Sequence, residues 1–142
     1  DNSNKKDDSL YTNTDVSYAF ADGKVTASYG TANPKELDDV KVQKKALIRQ
    51  QASEILTATD WYVVKATEVE SYSVPEAVTT YRADARTASN DMESKIDACS
   101  TVDELAALYV YTDGSRPLGE FPDKGIKDLF WNTLQDNLKH IR

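Results

Sequence analysis

The chain has 142 residues, 24 of them acidic and 17 basic, for a net charge of −7. At this length folding buries roughly two thirds of the surface that the unfolded chain exposes, enough for one core without staples, and an acidic surface excludes the electrostatic footprint of a nucleic-acid binder. The single cysteine, Cys99, excludes an intramolecular disulfide framework or a cysteine-cluster zinc site, and no apolar run approaches the roughly 18 residues of a membrane span.

Residues 1–10 are charged and small, and the stretch Asp1-Asn2-Ser3-Asn4-Lys5-Lys6-Asp7-Asp8 has no hydrophobic core of a signal peptide. Such a composition does not repay the entropy of ordering, so an arm structured only against a partner is expected. The sequence opens without Met, and its one Met is Met92, as expected of a processed or internal portion of a longer product.

From Val16 the pattern becomes strict alternation. Val16, Tyr18 and Phe20 precede Asp22-Gly23, and Val25, Ala27 and Tyr29 follow it. Asp-Gly supplies the two positive-φ positions of a type I′ turn, which predicts a hairpin pairing Phe20 with Val25, Tyr18 with Ala27 and Val16 with Tyr29, all on one face. Two strands alone are marginal in water, so this face is expected to cover the chain's own helices or to meet another chain.

Asn33-Pro34-Lys35-Glu36 reads as a helix start, with Asn33 as N-cap, Pro34 at the first helical position and Glu36 reaching back. Leu37, Val40, Leu47, Ile48, Ala52, Ile55 and Leu56 then recur at three- and four-residue intervals. The predicted helix ends at residues 57–59 after about 23 residues, near 35 Å. Asp60 then caps a local turn, and Trp61-Tyr62-Val63-Val64 forms an extended crossover with Trp61 buried as a peg between two helices. Pro75 opens a second helix whose stripe is Ala77, Val78, Tyr81, Ala85, Ala88, Met92 and Ile96, rich in small residues that let a neighbour approach. Arg82 and Arg86 lie four apart on its flank, to pair with Asp84, Glu54 or Asp60 or to bind a carboxylate. Thr101-Val102-Asp103-Glu104 is a capping box for a short third helix. A loop punctuated by Gly114, Pro117, Gly119, Pro122 and Gly125 follows. Phe130, Trp131, Leu134, Leu138 and Ile141 keep helical spacing to the end, an amphipathic helix that must dock within the chain or on a partner.

The catalytic inventory is thin. His140 stands near the C-terminal end, Cys99 has no cationic motif beside it, and the acidic pairs occur on polar faces or at helix starts, where the macrodipole accounts for them. There is no HExxH, no calcium-loop alternation and no glycine-rich phosphate cradle. Neither cofactor nor metal is expected.

Ile55-Leu56-x-x-Thr59-Asp60-Trp61, followed twenty residues after the Trp by Tyr81-Arg82-x-x-x-Arg86, resembles the tail assembly chaperone or tail fibre assembly type domain of tailed bacteriophages. The resemblance spans about 40 of the 142 residues. Ala52 stands where that family usually has an arginine, and Ala85 replaces its leucine before the second Arg. The resemblance implies a protein–protein role without a cofactor, as a chaperone or as an appended part of tail and baseplate proteins.

The expected fold is mainly α within the α+β class. It is a small helical domain built on an antiparallel helix pair, with an N-terminal β-hairpin and a C-terminal amphipathic helix. Residues 1–32 form arm and hairpin, 33–98 a helical clasp, and 99–142 the short helix, loop and terminal helix. The clasp residues are Leu56, Asp60, Trp61, Tyr81, Arg82 and Arg86; the interface candidates are Tyr18, Phe20, Tyr29, Phe130, Trp131, Leu134 and Leu138. The leading expectation is a tail, baseplate or fibre component that contacts other tail proteins or a second copy of itself, without nucleic acid or membrane, in the virion or in the host cytoplasm during assembly. A free helical adaptor or inhibitor of a host protein is the alternative, and an enzyme of unrecognised type the third.

Overall fold

The structure, a computed structural model, describes residues 4–122. The expected terminal helix, with Phe130, Trp131, Leu134, Leu138 and Ile141, lies outside the described residues, as does His140. The elements are β1 (Tyr11–Ala21), β2 (Lys24–Pro34), α1 (Leu37–Glu68), α2 (Glu76–Ala98) and α3 (Val102–Ala107), an α+β arrangement of hairpin and helices. The chain divides into two compact units, residues 1–44 with 96–117 and residues 45–95 with 118–142, so the divisions fall inside α1 and α2.

In the first unit the hairpin has the expected register: Phe20 opposes Val25, Tyr18 opposes Ala27, and Val16 opposes Tyr29. Asp22 and Gly23 both take positive φ, 52° and 73°, the type I′ geometry whose twist matches that of paired strands. The ribbon is longer than the alternation alone indicates, because pairing continues to Tyr11 with Pro34. One rung is absent, that of Asp15 and Gly30. Asp15 adopts φ 57°, and a Cβ on Gly30 would come 3.1 Å from the Asp15 Cβ, so a side chain there would press Asp15 back by a few tenths of an ångström. The Asp15 carboxylate accepts a 2.9 Å bond from the Thr31 hydroxyl, which steadies the kink.

The base of the hairpin is anchored. Leu10, Tyr11, Val40, Ile96, Cys99, Val102 and Leu105 are the unit's buried apolar residues. The Lys35 N–H donates to the Leu10 carbonyl at 2.9 Å, and the Tyr11 hydroxyl donates to Asp103 at the first turn of α3. Asn33 and Pro34 therefore finish β2 rather than opening α1, and Glu36 takes the capping place by accepting from the Val40 N–H at 3.1 Å. The arm likewise departs from expectation: residues 4–10 fold back on the hairpin. The Asn4 side chain bonds both the carbonyl and the N–H of Tyr29, occupying part of the β2 edge, and Asn13 ties Lys6 and Asp8 to β1. Of the predicted capping box, the Thr101 hydroxyl accepts from the Glu104 N–H at 3.1 Å, while the Glu104 carboxylate reaches back to the Ser100 N–H at 2.6 Å.

In the second unit α1 and α2 run antiparallel, since Arg49 meets Glu93, Asp60 meets Arg82 and Tyr62 packs on Val78. α1 does not stop at residues 57–59. It continues through Trp61-Tyr62-Val63-Val64 to Glu68, 32 residues in all. No glycine or proline interrupts this stretch, and the alternating four- and three-residue spacing of Ile48, Ala52, Ile55, Thr59 and Tyr62 carries one seam straight through it. Four of those five are buried, Tyr62 packs on Val78, and Tyr81, Ala85 and Met92 of α2 are buried as well. The two alanines, Ala52 and Ala85, let the backbones draw close.

Candidate functional site

Two surfaces stand out from the residues upward, one in each unit. The first is the hairpin face beyond the Asp15–Gly30 kink. Tyr18 is 72% exposed and Phe20 75%, Val16 and Val25 are exposed as well, and only Ala27 and Tyr29 are half-buried. The expected packing of this face on the chain's own helices is not found among the described residues. The aromatic faces are instead presented to solvent at the end of a ribbon whose anchorage lies at Tyr11 and Leu10. Exposed apolar side chains scattered singly are ordinary, but four adjacent ones on a two-stranded sheet form a patch of the kind that marks a protein contact.

The second surface is the clasp. Arg82 donates to the Leu56 carbonyl at 2.7 Å and to the Thr59 hydroxyl at 2.6 Å, and its other terminal nitrogen meets the Asp60 carboxylate at 2.9 Å. Its side chain is only 11% exposed. The continuation of α1 as helix is what stacks these three acceptors beneath one guanidinium, because the carbonyl of residue 56 and the side chains of residues 59 and 60 share that side. Tyr81 is buried beside it, and Leu56 is half-buried. Thr59, a buried polar residue that the motif contains without announcing its role, also donates to the Leu56 carbonyl at 3.0 Å.

Trp61 does not hold the clasp. It is 38% exposed and stacks on Tyr62 with ring centroids 3.7 Å apart, whereas Tyr62 is the buried ring, packed with Val78 and flanked by Tyr72 and Val74. The correction follows from the helix: with α1 unbroken, position 62 falls on the seam and position 61 beside it. Lys65, 4.4 Å above the Tyr72 ring, closes the same end.

Arg86 sits one turn beyond Arg82 and lines a groove of about 490 Å³ between α1 and α2, together with Arg49, Ser53, Leu56, Asp60 and Asn90. Arg49 is engaged by Glu93 through contacts of 2.6, 3.0 and 3.1 Å. Of the expected partners, Asp60 serves Arg82, and none of Asp84, Glu54 and Asp60 meets Arg86.

Elsewhere, Cys99 is buried, and that burial pushes its thiol above its usual range, with Glu104 adding to the effect, so it is held as a protonated, unreactive thiol. Among the described residues no group of three His, Cys, Asp or Glu is placed to hold a metal ion, and no helix is long and apolar enough to cross a membrane. The interface candidates Phe130, Trp131, Leu134 and Leu138 lie outside the described residues. Protein-family models, curated proteins and solved structures offer no match to this chain.

Proposed function

We propose that this chain is a structural or assembly component of a bacteriophage tail, acting through contacts with other tail, baseplate or fibre proteins, in the virion or in the host cytoplasm during assembly. The observation that carries the reading is the uncovered apolar end of the hairpin, with Tyr18 and Phe20 turned to solvent on a ribbon anchored at its base and held by Asn4 at Tyr29. A two-stranded sheet gains little stability of its own, so a ribbon of this length is explained by what it meets in an assembly. The motif supports the tail assignment: Thr59, Asp60 and Arg82 form one bonded group, and Trp61 and Arg86 stand exposed beside it.

Quantitative mass spectrometry of purified phage particles, and of the lysate that yields them, tests the proposal. A fixed copy number in the particle is expected of a tail component, and abundance confined to the lysate is expected of a chaperone that leaves before maturation. Recovery from the lysate on a host protein would replace the tail reading with that of a host-directed adaptor, and absence from both fractions would overturn it.

A further inference from the structure

We propose that the groove between α1 and α2 binds a peptide carboxylate, with the Arg86 guanidinium as its anchor. This site is separate from the hairpin and does not rest on the tail assignment. The other arginines of the groove are committed, Arg82 to Leu56, Thr59 and Asp60, and Arg49 to Glu93. Among the described residues Arg86 makes only a long 3.5 Å bond, to the Arg82 carbonyl within its own helix.

The sequence around Arg86 keeps it that way. A helical cation is neutralised from positions three or four residues away, and those positions here are Arg82, Ala83, Ser89 and Asn90. None is acidic, in a chain with 24 acids against 17 bases. Across the groove α1 presents the Ser53 and Thr57 hydroxyls, and the one carboxylate lining it among the described residues, Asp60, is taken by Arg82. One positive charge therefore remains over a hollow of about 490 Å³ whose floor includes Ala52 and Leu56.

A guanidinium is a rigid fork that matches a carboxylate through two parallel bonds, and the Asn90 amide stands one turn away to donate to a neighbouring peptide carbonyl. The apolar floor favours a residue such as leucine beside the acid. A polyphosphate is disfavoured, because a single unpaired guanidinium does not offset the repulsion of a chain with net charge −7.

The test is a ¹H–¹⁵N NMR titration of the full chain with an acetylated pentapeptide carrying one glutamate flanked by leucine and alanine. Its glutamine counterpart and inorganic phosphate serve as comparisons, and the Arg86→Gln and Arg86→Lys variants as controls. Saturable shifts at Ser53, Thr57 and Asn90 are expected, with affinity at least roughly tenfold lower for the glutamine peptide and for Arg86→Gln, and partly retained in Arg86→Lys. Because Arg86 is exposed, the Arg86→Gln variant should keep the parent's circular dichroism and Tm. Absence of saturable shifts, or shifts indifferent to the glutamine peptide or to Arg86→Gln, would overturn the proposal. So would inorganic phosphate displacing the peptide at equal concentration, which would mark a general anion site.

Discussion

Tyr62 and Trp61 are neighbours with opposite fates, and the difference sets a measurable contrast. Tyr62 buries its ring against Val78, where Tyr72 and Val74 close the turn between α1 and α2. Truncating a buried aromatic side chain costs about 3–5 kcal/mol in lost transfer energy and residual cavity. Trp61, more than a third exposed, loses far less contact on truncation. In urea unfolding, Tyr62→Ala should therefore lose about 3 kcal/mol, and Trp61→Ala about 1 kcal/mol or less. Equal losses in the two variants would mean that Trp61 is the peg after all. Arg82 acts at the same scale but by satisfaction of acceptors. Its removal deprives the Thr59 hydroxyl and the Leu56 carbonyl of a charged donor, although the 3.0 Å bond between those two remains, so the damage is the loss of these charge-assisted bonds together with the Asp60 ion pair.

Among the elements, β1 is joined to α3 by the bond from the Tyr11 hydroxyl to Asp103, and this bond has a pH signature. Burial, then the Asp103 carboxylate, pushes the Tyr11 phenol from its ordinary 10.0 up to about 12. A raised value means that the neutral phenol is favoured by the fold, so its stabilisation is full below pH 10.0 and is lost as pH rises toward about 12. Asp103 is held below its ordinary 3.8 by the Tyr11 hydroxyl and then by Lys6, so its contribution is present above 3.8 and is lost as pH falls through the lower folded-state value. Thermal melts of Tyr11→Phe against the parent should converge between pH 10 and 12, the parent losing its advantage there. A constant gap across that window would show that the bond does not titrate with folding. The hairpin was legible in the sequence because its determinants are local: an Asp-Gly turn and a two-residue period. What covers it was not, since burial of a sheet face is settled by elements far away in the chain. The end of α1 was misread for a related reason. Thr57, Thr59 and the run Trp61-Tyr62-Val63-Val64 favour extended structure one by one, but the seam that buries Thr59 and Tyr62, with Tyr62 packed on Val78 and Thr59 bonded to Arg82, outweighs those preferences. The clasp followed suit. The four-residue spacing of Arg82 and Arg86 placed them on one flank, yet which of them would be satisfied depended on where α1 carries Thr59 and Asp60.

Over the whole molecule, the net charge of −7 keeps copies apart, while the distal hairpin, with only Asp22 and Lys24 at its tip, offers an apolar face free of that repulsion. If the face serves contacts rather than the fold, its aromatic residues can be exchanged without disturbing stability. Tyr18→Ser with Phe20→Ser removes two exposed rings and leaves the Asp22-Gly23 turn, the strand register and the anchorage at Tyr11 in place. Cross-strand aromatic contacts contribute only about 0.2–1 kcal/mol each, so the double variant should melt within about 8 °C of the parent. On a hydrophobic-interaction column it should elute markedly earlier, because the patch that binds the matrix is gone. Unchanged retention would show that the rings are covered in solution, and a fall in Tm well beyond that margin would show that they belong to the core. Either result would remove the surface on which the tail assignment rests, whereas early elution at an unchanged melting point would isolate the hairpin as a contact element separable from folding.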